Sequence, residues 1–156
     1  MGKKRRNNAR TSVYPYRRFK FMASDTTIKG ELACLHLEKR AYEKGAIVSR
    51  PTIECGYDRL IDYKGKIYRV QVKYAGGSAS HAEGVATTNL RRSDRNKSQT
   101  YTKKEIDAVV CYLPDADLLC WLPPDVWEGK SALSIRYKLP KNGQKKGCLM
   151  AESYIW

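Results

Sequence analysis

The segment 57–74 constrains the fold of this chain more than any other segment. It carries β-branched and aromatic residues on both sides of a central Lys64-Gly65 pair, a pattern that predicts a β-hairpin turning at those two residues. With that turn, Tyr63 pairs with Lys66, and the register of every other pair follows. The sequence therefore predicts which side chains share a face of the hairpin.

One face of this hairpin is polar. The register places Asp58 opposite Gln71, and opposite side chains of an antiparallel pair lie about 5 Å apart at Cβ. Because side chains alternate along a strand, Lys73 shares this face with Gln71. The other face is a mostly apolar core set: Tyr57, Ile61, Tyr68, Val70, Val72 and Tyr74. Buried polar groups cost several kcal/mol without partners, so the polar cluster indicates a chemical role.

Asp58 followed by Gln71-Val72-Lys73 resembles the signature of the PD-(D/E)XK nuclease superfamily, an acid followed by (Asp/Glu/Gln)-x-Lys on the next strand. With the preceding segment 49–51, Ser-Arg-Pro, the Gln-x-Lys variant most resembles the small group I intron homing endonucleases. The similarity covers most of residues 28–156. It implies a restriction-endonuclease-like α+β fold, with a central mixed β-sheet flanked by an N-terminal helix.

The resemblance also implies a metal site for Mg²⁺ or Mn²⁺. A divalent cation supplies most of what phosphodiester hydrolysis needs, and magnesium takes few protein ligands, all through oxygen. We expect Asp58 to be the main ligand, with the main-chain carbonyl of Val72 and the neutral amide oxygen of Gln71 beside it. Lys73 would hold the attacking water or stabilise the pentavalent phosphate.

The acid that the first helix contributes in this family is missing from its usual position. Relatives read Lys-Gly-x-x-x-Glu, and here Lys29-Gly30 leads to Cys34. Glu31 lies one turn earlier and is the expected substitute, since residues three apart are neighbours on a helix; Glu38, one turn later, is a weaker one. The alternative is that Glu31 is an ordinary acid favoured by the helix dipole.

The charge of the chain favours a polyanionic partner. Thirty Lys and Arg against sixteen Asp and Glu give a net charge of +14, and we expect double-stranded DNA to be bound. Residues 1–22 form a predicted basic arm, flexible without DNA, and 23–156 form the nuclease-like domain. The expected DNA contacts are Lys3, Lys4, Arg5, Arg6, Arg10, Arg17, Arg18 and Lys20 in the arm and Arg91, Arg92, Arg95 and Lys97 in a loop.

The remaining pattern predicts one helix followed by strands. Cap residues around Ser24 begin a helix that runs to about Lys44 and stops at Gly45. Short strands are predicted at 46–50, 84–90, 106–112, 118–122 and 132–139, the last being the final strand, with a polar loop at 91–98 and a basic loop at 140–147. Helix first and strands after it favour an α+β architecture.

The predicted function is a metal-dependent DNA endonuclease of the homing type. A Holliday-junction resolvase or repair nuclease is the alternative enzyme, and a catalytically inactive nucleic-acid-binding protein is the alternative outside enzymes. Cutting both strands requires two active sites, so we expect a homodimer or homotetramer. Five cysteines without C-x-x-C spacing and the lack of a long apolar run predict a cytoplasmic protein with reduced thiols and no membrane span.

Overall fold

The computed structural model describes residues 23–76, 83–94, 97–139, 143 and 147–156. Two α-helices are present in these residues, α1 (Asp25–Glu43) and the short α2 (Pro124–Trp127). The strands are β1 (Ile47–Ser49), β2 (Arg59–Tyr63), β3 (Lys66–Tyr74), β4 (Val85–Asn89), β5 (Arg91–Asp94), β6 (Lys97–Thr100), β7 (Ala108–Leu113), β8 (Leu118–Leu122), β9 (Ala132–Arg136) and β10 (Leu149–Met150).

A mixed five-stranded sheet forms the centre of the fold, in the order β1-β2-β3-β7-β8. β3 and β7 run parallel, and the other neighbours are antiparallel. Tyr63 pairs with Lys66 as the sequence predicts. Lys64 and Gly65 have φ angles of 52° and 76°, the conformation that a two-residue turn needs to follow the twist of its strands. The register predicted for the hairpin in segment 57–74 is therefore confirmed.

α1 packs on one face of this sheet. Ser24 caps the helix by accepting a hydrogen bond of 3.2 Å from the main-chain N–H of Thr27, and Gly45, with φ of 75°, follows its C-terminal turn. Its buried residues Ala33, Leu37 and Ala41 lie in one core with Ile61, Val70 and Val72. The helix predicted from the sequence is confirmed, and its position fixes which side of the hairpin faces α1.

A second core fills the opposite face of the sheet. It contains Val109, Cys111 and Trp127, together with residues of a three-stranded sheet in the order β10-β9-β4. Tyr57 packs against this second core, whereas the sequence pattern places it with Val70 and Val72. That prediction is wrong because Tyr57 lies before β2 begins, where strict alternation no longer applies.

Two further element predictions are wrong. The segment 91–98, predicted as a loop, belongs mostly to the antiparallel hairpin β5–β6. Its polar composition suggested a loop, but polar side chains do not prevent main-chain hydrogen bonding between strands. β9 is not the last strand, because β10 pairs with it in parallel. The predicted arm 1–22 and most of the predicted basic loop 140–147 lie outside the described residues.

Cys34, Cys55, Cys111 and Cys120 are free thiols, as the sequence predicts. Within the described part of the chain, no helix is long and apolar enough to cross a membrane.

Candidate active site

The carboxylate of Asp58 is the centre of the candidate site. Asp58 directly precedes β2, and its main-chain N–H donates a hydrogen bond of 2.9 Å to the carbonyl of Val70. Its Oδ2 accepts two hydrogen bonds, one of 2.5 Å from Nε2 of Gln71 and one of 2.8 Å from the main-chain N–H of Val72. Two donors on one strand therefore hold this carboxylate in a fixed orientation, as the predicted register implied.

Burial makes the ionised form of Asp58 less favourable. The partly buried position raises the pKa of this carboxyl above its ordinary value, and the hydrogen bond from Val72 and the charges of Lys73 and Arg59 oppose that rise. Its second oxygen, Oδ1, accepts no hydrogen bond from the described residues. One oxygen is thus anchored, and the other is free to contact a cation or water.

The side chain of Gln71 is turned differently from the sequence-based expectation. Gln71 is 8% exposed, and its NH₂ group donates to Asp58 and lies 3.4 Å from the carbonyl oxygen of Val72. The group of Gln71 that contacts the carboxylate is therefore the NH₂ and not the amide oxygen, which was expected to contact a metal beside Asp58. In this arrangement Gln71 orients Asp58.

The ammonium group of Lys73 rests on a tyrosine that the sequence analysis gave no role. Its Nζ lies 3.3 Å from the hydroxyl of Tyr101 and 5.1 Å from the centre of that ring. Tyr101 is 6% exposed and precedes β7, so it is a fixed support. A single tyrosine in a loop carries no sequence signal for this contact.

Glu31 lies near Asp58 but is paired with arginines. Its carboxylate accepts hydrogen bonds of 2.8 and 3.4 Å from Arg50, and Nη2 of Arg59 lies 3.6 Å away. Cys34, at the position where relatives carry an acid, is 5% exposed, and burial raises the pKa of its thiol to about 12. Cys34 is therefore a neutral thiol near neutral pH, which leaves Glu31 as the acid of α1 closest to the expected position.

Arg59 links α1 to Asp58 and was not predicted. It is 3% exposed, its Nε donates a hydrogen bond of 2.6 Å to Glu38, and its Nη1 donates one of 2.8 Å to the main-chain oxygen of Asp58. The alternation of side chains along the hairpin could have identified Arg59, because it pairs with Val70 on the face that α1 covers. Glu38 is thus engaged with Arg59, and the structure gives it no place beside Asp58.

Two open clefts border these residues. The Asp58 cleft, about 470 Å³ in volume, is lined by Glu31, Cys34, Arg50 and Asp58, among others. The Lys73 cleft, about 640 Å³, is lined by Lys29, Lys73, Tyr74 and Asn89, among others. Asp58 and Lys73 therefore open into neighbouring clefts.

Residues 24–156 match the family profile described as PD-(D/E)XK endonuclease. The chain belongs to the PD-(D/E)XK endonuclease family. Its structure is similar to that of a bacterial homing endonuclease, I-Ssp6803I, with a TM-score of 0.69 and 25% sequence identity over 85% of this chain and 89% of that one. No curated protein sequence matches the chain. The restriction-endonuclease-like α+β fold expected from the sequence is confirmed.

PD-(D/E)XK nucleases generally use divalent metal ions, and the oxygen atoms around Asp58 are suitable ligands for such an ion. The described residues contain no group of three or more His, Cys, Asp or Glu side chains able to hold a metal. Magnesium does not need such a group, because it keeps several waters and takes only one or two carboxylates. Asp58 with its free Oδ1 and Glu31 in the same cleft meet that requirement, and Val72 lines the cleft beside them.

The predicted DNA contacts of this PD-(D/E)XK endonuclease are only partly described. Arg91 is exposed, whereas Arg92 forms an ion pair with Glu105 and stacks 5.7 Å from the centre of the Tyr101 ring. Arg92 is therefore engaged within the protein. Arg95, the side chain of Lys97 and the eight basic residues of the arm lie outside the described residues.

Proposed function

We propose that this protein is a metal-dependent DNA endonuclease of the homing-endonuclease type, hydrolysing phosphodiester bonds in double-stranded DNA. The observation that carries the proposal is the carboxylate of Asp58, anchored by Gln71 and Val72 on the next strand, with Lys73 two residues after Gln71. The family and the structural similarity to a homing endonuclease support it.

Each residue of the site has a separate role in the proposed phosphodiester hydrolysis. Asp58, Glu31 and the carbonyl of Val72 would hold Mg²⁺ or Mn²⁺, which supplies charge neutralisation at the phosphate and a more acidic bound water. Gln71 fixes the orientation of Asp58. A rotation of its amide by about 180° would present the amide oxygen as a further metal ligand. Lys73, supported by Tyr101, stabilises the charge that develops on the phosphate.

Cleavage of both strands requires two such sites, so the proposal includes a homodimer or homotetramer. The DNA contacts proposed with it are the basic arm 1–22 and the exposed Arg91, with Arg95 and Lys97. A net charge of +14 supports this binding, since phosphate contacts by Lys and Arg supply most non-specific affinity for DNA.

The experiment is a cleavage assay on a plasmid library of genomic fragments, with Mg²⁺, with Mn²⁺ and with EDTA. We expect double-strand ends at a small set of sites, found by sequencing, in the presence of metal only. The Asp58→Asn and Lys73→Ala proteins are the controls, and they are expected to bind DNA without cutting it. Cleavage of four-way junctions but not of linear duplex would contradict the homing type and favour a resolvase.

A second function is favoured by one observation. Cys34 replaces the acid of α1, and Glu31 is neutralised by Arg50 and Arg59, an arrangement that suits a DNA-binding protein without cleavage activity. The same assay separates the two functions, because such a protein binds duplex DNA and leaves it intact with every metal.

A further inference from the structure

Gly30 is the residue of α1 at which the two clefts meet. Among the described residues, the Asp58 cleft and the Lys73 cleft share two lining residues, Gly30 on α1 and Val72 on β3. Val72 is 6% exposed and packs in the core beneath α1. A ligand that extends from one cleft into the other must therefore pass over Gly30.

Neither conformation nor packing within the described residues requires a glycine here. Gly30 lies within α1, and its φ is not positive. A Cβ built on Gly30 would meet no heavy atom of the described protein within 4 Å, apart from its neighbours and its own helix. Glycine is less favourable than alanine in a helix interior, because it loses more conformational freedom on folding. Stability alone favours alanine, and close approach of a bound ligand would account for the glycine.

We propose that one DNA strand crosses α1 at Gly30, with its sugar–phosphate backbone against the main chain of the helix. The absence of a side chain is what lets the strand pass from the Lys73 cleft into the Asp58 cleft. Close approach of a ligand to the protein backbone is a common reason for glycine. This inference rests on the proposed endonuclease function and adds the path of the strand to it.

The charges of the two clefts agree with this path. Lys29 and Lys73 line one cleft and attract phosphates on one side of the crossing. Asp58 and Glu31 line the other together with Arg50 and Arg59, which pair with Glu31, so a divalent cation there would offset mainly the charge of Asp58. The scissile phosphate then lies at the crossing, within reach of both Asp58 and Lys73.

The test is a series of increasing size at position 30, Gly30→Ala and Gly30→Leu, with Tyr42→Leu as the control. Tyr42 is an exposed residue of α1 that lines neither cleft. Binding is measured with a fluorescent mixed-sequence DNA duplex, cleavage with the plasmid library, and stability by thermal unfolding. Gly30→Ala is expected to raise Tm by about 2 °C and still weaken DNA binding several-fold. Gly30→Leu is expected to weaken it at least tenfold, and Tyr42→Leu to leave it unchanged.

Three results would overturn the crossing. If wild type cleaves duplex DNA and Gly30→Leu binds and cleaves equally well, the strand does not pass over Gly30, and the proposed function stands without this path. If wild type neither binds nor cleaves duplex DNA, the proposed function and the crossing are both wrong. If Gly30→Leu fails to fold, Gly30→Ala is the deciding variant, because its added methyl group meets no other atom of the described protein. Unchanged DNA binding by Gly30→Ala would overturn the crossing.

Discussion

The guanidinium of Arg59 donates a hydrogen bond of 2.8 Å to the main-chain oxygen of Asp58, the residue beside it and the central acid of the site. The same guanidinium donates one of 2.6 Å to Glu38 on α1. Arg59 thus connects α1, the helix that carries Glu31, to the start of β2, which Asp58 directly precedes. Because the side chain of Arg59 is buried, we expect it to position Asp58 and not to contact the substrate.

Arg59→Met is expected to lower the free energy of unfolding by about 3 kcal/mol, because it leaves Glu38 partly buried without its partner. The double variant Arg59→Met/Glu38→Leu should regain much of that stability but not the cleavage rate, since Asp58 stays without its main-chain contact. Urea unfolding and cleavage kinetics measure the two effects. Full activity in the double variant would show that Arg59 is a structural residue only.

Glu31→Gln is expected to reduce cleavage by about two orders of magnitude and to raise the metal concentration needed for half-maximal rate. The reason is charge, because the proposed ligand set then keeps Asp58 as its single carboxylate, a poor set for a hydrated divalent cation. Cys34→Ser should change little. Wild-type cleavage by Glu31→Gln would contradict this role, and a gain of activity in Cys34→Glu would then place the lost acid at position 34.

Tyr101→Phe removes the hydroxyl that lies 3.3 Å from Nζ of Lys73 and keeps the ring beneath it. We expect a several-fold loss in single-turnover cleavage rate, while DNA affinity stays the same, because the hydroxyl orients the ammonium group and does not contact the phosphate. Tyr101→Leu, which also removes the ring, should lose more. An equal fall in affinity and rate in Tyr101→Phe would show that the tyrosine binds DNA directly.

Asp107 makes a pH-dependent contribution to stability. Hydrogen bonds from the guanidinium and main chain of Arg69 hold the pKa of this carboxyl below its ordinary value of 3.8. A lowered folded-state pKa means that the contribution is complete above about pH 4 and is lost as pH falls through the folded-state pKa.

Asp107→Asn should therefore be less stable than wild type by about 1 kcal/mol at neutral pH, a modest figure because both partners are about one-third exposed. The difference should shrink as pH falls below about 4. Urea unfolding across this pH range is the measurement, and a difference that stays constant with pH would contradict the assignment to ionised Asp107.

Deleting residues 1–20 removes eight positive charges and tests the arm. We expect weaker DNA binding with a flatter salt dependence, the log–log slope changing by about 0.9 for each phosphate that the protein no longer neutralises. Fluorescence anisotropy at several salt concentrations gives the slope. An unchanged slope would assign DNA binding to the exposed face around Arg91.

The sequence by itself determined the hairpin β2–β3, the helix α1 before it and the proximity of Asp58 to Gln71. These features depend on local rules: side chains alternate along a strand, Lys64-Gly65 fixes the register, and Ser24 and Gly45 mark the ends of α1. Alternation also identifies Arg59 as a residue facing α1, although its partners there are not local.

Only the tertiary structure decided how the polar groups are paired. Glu31 and Arg50 are nineteen residues apart, and Lys73 and Tyr101 are twenty-eight apart, so packing of the helix and loops on the sheet sets each contact. The same holds for the amide of Gln71, which turns its NH₂ toward Asp58 because that carboxylate is the acceptor within reach. A sequence pattern names the groups at a site, whereas burial and three-dimensional proximity determine which hydrogen bonds each of them makes.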